Sequence, residues 1–285
     1  MAEKWRVEGP RVLDIGEDGE RVRALKVGII GGRVDVVTHD DSPTARVEVS
    51  QVEGDPVLVR WDGSTLKITH GADSDEGIFD RVRRTVTEGF DRFRVVVSIS
   101  IPQDAAASVS TVSAEALVAG VRAEVKTNTV SGSLTLDDLA GRTSVNTVSG
   151  AVECSRLDGP LSVNSVSGSV TAQQSRLPDV TIHTVSGDIA LDLLNGQASI
   201  SSSSVSGDVT VRAPHQGYAV TGHTASGQVV VDGRELWRGL RGGGGQVTEG
   251  EGGLRIKANA VSGSIVVLST PSAAPAEGAS QAVGE

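Results

Sequence analysis

The chain has 285 residues, 35 of them glycine, with aromatics at only 2% and a formal net charge of −10. So few aromatic side chains, each of which buries a large apolar area, argue against one thick interior and for thin stacked layers filled by Val, Ile, Leu and Ala. The acidic balance, with no Lys/Arg-rich run, excludes the electrostatic footprint of a nucleic-acid binder, and a lone Cys excludes an internal disulfide.

The N-terminal stretch MAEKWRVEGPRVLDIGEDGER is charged throughout and lacks the apolar segment of a signal peptide. No stretch reaches the ~20 apolar residues that cross a bilayer. A soluble, cytoplasmic protein is expected. Next come short alternating stretches that read as strands: Ala24–Ile30, Arg33–Thr38, Thr44–Ser50, Val57–Trp61 and Thr65–Thr69. Gly31-Gly32, Asp55-Pro56 and Asp62-Gly63 separate them. Residues 1–104 are therefore expected to cap a larger β structure, with a small separate sandwich as the alternative.

Residues 72–92 interrupt this region. Phe79, Val82, Val86 and Phe90 recur at helical spacing. One reading is a partner-docking or membrane-surface helix; the other is a helix lying on the end or flank of the β structure.

From residue 105 to 268 a repeat dominates. Ser-Gly recurs at Ser131-Gly132, Ser149-Gly150, Ser167-Gly168, Ser186-Gly187, Ser206-Gly207, Ser226-Gly227 and Ser262-Gly263, in steps of 18, 18, 19, 20, 20 and 36. The last step equals two periods. Aligned on this dipeptide, apolar columns appear. Val130, Val148, Val166, Val185, Val205, Ala225 and Val261 precede Ser; Leu134, Val152, Val170, Ile189, Val209, Val229 and Ile265 stand two after Gly. A further column holds Leu136, Cys154, Ala172, Leu191, Val211, Val231 and Val267. The period of two marks strands with one buried face, and the Val column before Ser, Val166 included, is expected to be buried. Repeats of this length bury a continuous core only by stacking. The expectation is an all-β, single-stack β-solenoid of 18–20-residue repeats, with irregular N-terminal capping strands.

Thr-Val-Ser-Gly-x-Val/Ile-x-Val/Leu repeats, preceded by the strand FRVVVSISIP (Phe93 to Pro102), resemble the bacterial putative-adhesin family, also called the toastrack β-strand-repeat domain. The likeness runs over roughly residues 24–268. It implies the repeat architecture and a link to bacterial envelope-stress modules, and it supplies no catalytic residues.

Residues 233–253 form an insertion whose Gly242–Gly245 run reads as a mobile loop. Trp237 and Arg238 on it, together with Phe79 and Phe90, are the candidate interaction residues, because specific interfaces favour aromatics and Arg. Both interruptions are expected to be dispensable for folding. Residues 269–285, rich in Ala, Ser, Pro and Gly, read as a disordered tail.

Candidate chemistry is sparse. Asn128, Asn146, Asn164, His183, Ser203, His223 and Asn259 form a polar column three before Ser. Its amides should bond along the stack. His183 and His223, two repeats apart, are too distant to share a metal ion. Asp188 and Asp208 follow Gly in adjacent repeats and read as solvated. Cys154 sits in an inward column and should behave as a small hydrophobe. No enzyme, cofactor or metal is indicated. The expected role is a structural or protein-interaction module with an unknown protein partner, monomeric or weakly self-associating, and reaching a membrane only indirectly. A carbohydrate-active β-helix enzyme and a self-assembling cytoskeletal-type scaffold are the alternatives.

Overall fold

The computed structural model describes residues 3–16, 20–70, 93–215, 217–239, 243–250 and 253–270. Among these every regular element is a strand. The N-terminal third holds β1 (Glu3–Val7), β2 (Arg11–Ile15), β3 (Ala24–His39), β4 (Ala45–Glu53), β5 (Val57–Trp61), β6 (Thr65–His70) and β7 (Arg94–Pro102). The repeats begin with β8 (Ala106–Ala119), β9 (Val125–Thr129), β10 (Leu134–Asp137), β11 (Thr143–Ser149) and β12 (Val152–Ser155). They continue through β13 (Leu161–Ser167), β14 (Val170–Ser175), β15 (Asp179–Ser186), β16 (Ile189–Leu193), β17 (Ala198–Ser206) and β18 (Val209–Pro214). The chain closes with β19 (Tyr218–Val231), β20 (Arg234–Gly239), β21 (Gly243–Glu249), β22 (Leu254–Ser262) and β23 (Ile265–Thr270).

Each repeat contributes one strand to each of two faces, and the Ser-Gly corner lies between them. The first face runs β1-β5-β6-β3-β8-β9-β11-β13-β15-β17-β22-β19-β21. The second runs β2-β4-β7-β3-β8-β10-β12-β14-β16-β18-β23-β19-β20. The long strands β3, β8 and β19 belong to both. Pairing is parallel from β6 and β7 through to β19 and antiparallel beyond, so each end of the stack is closed by antiparallel strands. This is the all-β solenoid that the repeat predicts.

The core lies between the faces as one continuous cluster. Val145, Val163 and Ile182 point in from the first face, Leu136, Cys154, Ala172, Leu191 and Val211 from the second, and Leu139, Leu157 and Leu177 fill the opposite corner. Aligned parallel strands bring like residues over like at ~4.8 Å, which is why each column holds one size of side chain. The corner needs glycine. At Gly168 φ is +144°, and a Cβ there would come within 2.2 Å of the Gly150 carbonyl oxygen. Asp188 and Asp208 are exposed, as expected, and they also brace this corner. Asp188 Oδ1 accepts the Asp208 amide at 2.9 Å, and Asp208 Oδ1 accepts the Ser264 amide at 2.7 Å.

Several expectations need correction. Gly31 and Gly32 do not end a strand; they lie within β3 where it passes from one face to the other, and a Cβ on Gly32 would meet the Val95 carbonyl oxygen at 2.0 Å. The step of 36 is not two successive coils. The Ser262-Gly263 coil inserts between the Ser206-Gly207 and Ser226-Gly227 coils, because β22 pairs with β17 on one side and β19 on the other. The described residues of the glycine insertion form strands where a loop is expected: β20 and β21 lie antiparallel on β19, with Gly243, Gly244 and Gly245 opposite Thr224, His223 and Gly222. Those two strands close the C-terminal edge of both faces. Ser269 and Thr270 belong to β23 and not to the tail. In the corner column Leu193 is buried and Leu194 exposed. The helix expected over 72–92, with Phe79 and Phe90, and the tail beyond Thr270 lie outside the described residues.

A candidate interaction face

The outer side of the first face carries rows in strict register. Along β11 the sequence Thr-Ser-Val-Asn-Thr-Val-Ser alternates, so Thr143, Val145 and Thr147 point in while Ser144, Asn146 and Val148 point out. Stacking turns each outward position into a row across the coils. The Asn row is a hydrogen-bonded amide ladder: Asn164 Nδ2 donates to Asn146 Oδ1 at 3.0 Å, Asn146 Nδ2 to Asn128 Oδ1 at 3.0 Å, and Asn128 Nδ2 to Ser110 Oγ at 3.2 Å. This is the ladder the sequence predicts. His183 and His223 in that row are three coils apart rather than two, since Ser203 and Asn259 stand between them. Among the described residues no group of three His, Cys, Asp or Glu is placed to hold a metal ion.

The adjoining Val row overturns the burial expectation. Val148, Val166, Val185, Val205 and Val261 are 44%, 49%, 49%, 48% and 54% exposed. Beneath them it is the hydroxyl column Thr147, Ser165, Thr184 and Ser204 that is buried. Each valine stands two residues after an outward Asn, His or Ser, and a strand returns to the same side every second residue. A row of exposed valines in consecutive coils is an apolar ridge, bordered by the amide ladder and by Ser149, Ser167, Ser186 and Ser206 at the corner. Asn146, Val148, Asn164 and Val166 line a shallow groove on this ridge.

The other candidates are placed as follows. Trp237 and Arg238 stand on β20, opposite Val229 and Gln228 of β19. Beside them a polar latch joins the closing strands. The Tyr218 hydroxyl donates to Glu249 Oε2 at 3.0 Å and Arg234 Nη2 to the same oxygen at 2.7 Å. These two bonds, Tyr218 first, hold the Glu249 carboxyl below its usual value. Asp232 is also held low: burial opposes this, but bonds from the Ser269 hydroxyl and amide outweigh it. Cys154 is buried, and burial pushes its thiol up to about 12, far from a thiolate nucleophile at neutral pH. The parity of the Asn and Val positions was the available signal for the exposed ridge.

Two closed faces of in-register coils make this a β-solenoid repeat protein. The Toastrack DUF4097 family model matches residues 32–268, and the chain belongs to that family. A crystal structure of a "putative adhesin" from Parabacteroides distasonis is similar at 14% identity, covering 92% of this chain and 97% of that one, with a TM-score of 0.49. One from Bacteroides fragilis, also described as a putative adhesin, shows 10% identity over 90% and 97% of the two chains, with a TM-score of 0.49. No curated protein matches the chain.

Proposed function

We propose that the chain is a non-enzymatic interaction module, a rigid ladder that meets its partner through the outer side of the first face. The observation that carries this is the exposed valine row, Val148 to Val261. Exposed apolar residues scattered singly are ordinary, whereas a contiguous apolar strip with a polar border marks an interaction site. The backbone beneath it is fixed by parallel pairing on both sides, so binding there orders little new chain. Phe79, Phe90, Trp237 and Arg238 enter the proposal as further anchors on residue type. A setting beside bacterial envelope-stress partners is what the family resemblance implies.

The test compares capture of proteins from the native cell on the immobilised full chain and on a Val166→Asp, Val205→Asp variant. Partners lost from the variant, with its melting temperature unchanged, are the expected result. An identical capture by both would place the binding surface elsewhere.

A further inference from the structure

Resting on that reading, we infer that the occupant of the ridge is a second copy of this chain, packed face to face with valine row against valine row. Three observations point to it. The first is period. The ridge repeats at the ~4.8 Å spacing of parallel strands, and an identical ridge matches that spacing rung for rung, whereas a helix presents its side chains at a different repeat.

The second is charge. The chain has a formal net charge of −10, which opposes its own association. Yet across seven coils the Asn, Val and Ser rows, from Asn128, Val130 and Ser131 to His223, Ala225 and Ser226, contain no Asp, Glu, Lys or Arg. This strip is where two acidic copies can meet without opposing like charges, and an ionic partner would gain nothing from it.

The third is area. Seven rungs by the four residues spanned from the Asn row to the Ser row cover about 450 Å² per copy, or roughly 900 Å² in the pair, using ~4.8 Å between strands and ~3.4 Å per residue. That lies at the small end of specific interfaces, so the dimer is weak and concentration-dependent. A two-fold pair is isologous, and in the row Val130, Val148, Val166, Val185, Val205, Val261, Ala225 the middle rung is Val185. Whether the two solenoids run parallel or antiparallel, Val185 faces its own copy.

Two measurements on the full chain test this. Sedimentation velocity from micromolar to near-millimolar protein should show the sedimentation coefficient rising with concentration, and more steeply in high salt. The Val166→Asp, Val205→Asp variant should stay monomeric with an unchanged melting temperature. Cys154 is buried, so a single introduced surface thiol reports proximity cleanly. Val185→Cys should form an interchain disulfide under mild oxidation, while Gln173→Cys on the second face should not. A wild-type chain that remains monomeric throughout, or equal cross-linking at both positions, overturns the inference. If the wild type is monomeric but the Asp variant loses captured cellular proteins, the ridge still binds and only the second copy is wrong. If it is monomeric and capture is unchanged, both readings fall.

Discussion

Val163 and Val166 sit three residues apart on β13 and have opposite surroundings: the first is fully buried between the faces, the second half exposed on the ridge. Val163→Asp places an unpaired charge in the core, a change expected to cost several kcal/mol, and should abolish cooperative melting. Val166→Asp should shift the melting temperature by no more than a degree or two. A large drop in the second variant would return that row to the interior. Both positions are valine in a strong column, so residue type alone reads them alike. What separates them is parity relative to Asn164, and that parity cannot be carried across the Ser-Gly corner, where the chain turns from one face to the other. Gly168→Ala should destabilise even though it adds one methyl group. Its φ of +144° and the Gly150 carbonyl oxygen, 2.2 Å from the added atom, leave no accommodation without moving two coils. A melting temperature equal to wild type would show that the corner can relax.

At the scale of elements, the C-terminal hairpin shows where composition misleads. Four glycines suggest mobility, yet three of them form the start of β21. A Cβ on Gly244 would lie 2.0 Å from His223 Nδ1, and one on Gly245 would lie 2.6 Å from Leu236 Cβ. Gly244 and Gly245 have no side chain because β21 packs too closely there to admit one. Its far end is fastened by the Tyr218–Glu249–Arg234 latch. Because the folded Glu249 carboxyl titrates below the ordinary Glu range, its contribution is present above that range and is lost as pH falls through the lower folded value. Glu249 to Gln should therefore remove part of the cap's acid sensitivity. Hydrogen exchange across residues 218–231 should rise on acidification below the ordinary Glu range in the wild type and change less in the variant. Equal acid responses would show that the latch carries no stability. The strands β1 and β2 were hidden for a related reason. Their alternation is short and studded with charge, and they become strands by pairing with β5 and β4 rather than by propensity.

At the scale of the whole molecule, the repeat length made the solenoid legible but not the order of its coils. Parallel in-register pairing places Ser-Gly over Ser-Gly whichever coil is the neighbour, so a step of 36 is consistent with continuation or with return. The structure shows return: the chain lays down β19 as the outermost coil, turns back through β20 and β21, and inserts β22 and β23 beneath it. In a repeat stack, stability is approximately a sum of unit terms and nearest-neighbour interfaces. The inserted coil supplies both interfaces that join β19 to the rest, since β22 pairs β17 with β19 and β23 pairs β18 with β19. A chain ended after Gly250 should therefore lose hydrogen-exchange protection throughout residues 218–249 while the amides of β11 to β15 stay protected. Three strands remaining at that end, β19, β20 and β21, have no layer left to cover their apolar side, and a small unsupported antiparallel unit is marginal in water. The same truncation bares the edges of β17 and β18, which should make it more prone to aggregate than the full chain. Retained protection over 218–231 would mean that β19 docks on β17 directly, and that the inserted coil is an addition to the stack rather than the link that completes it.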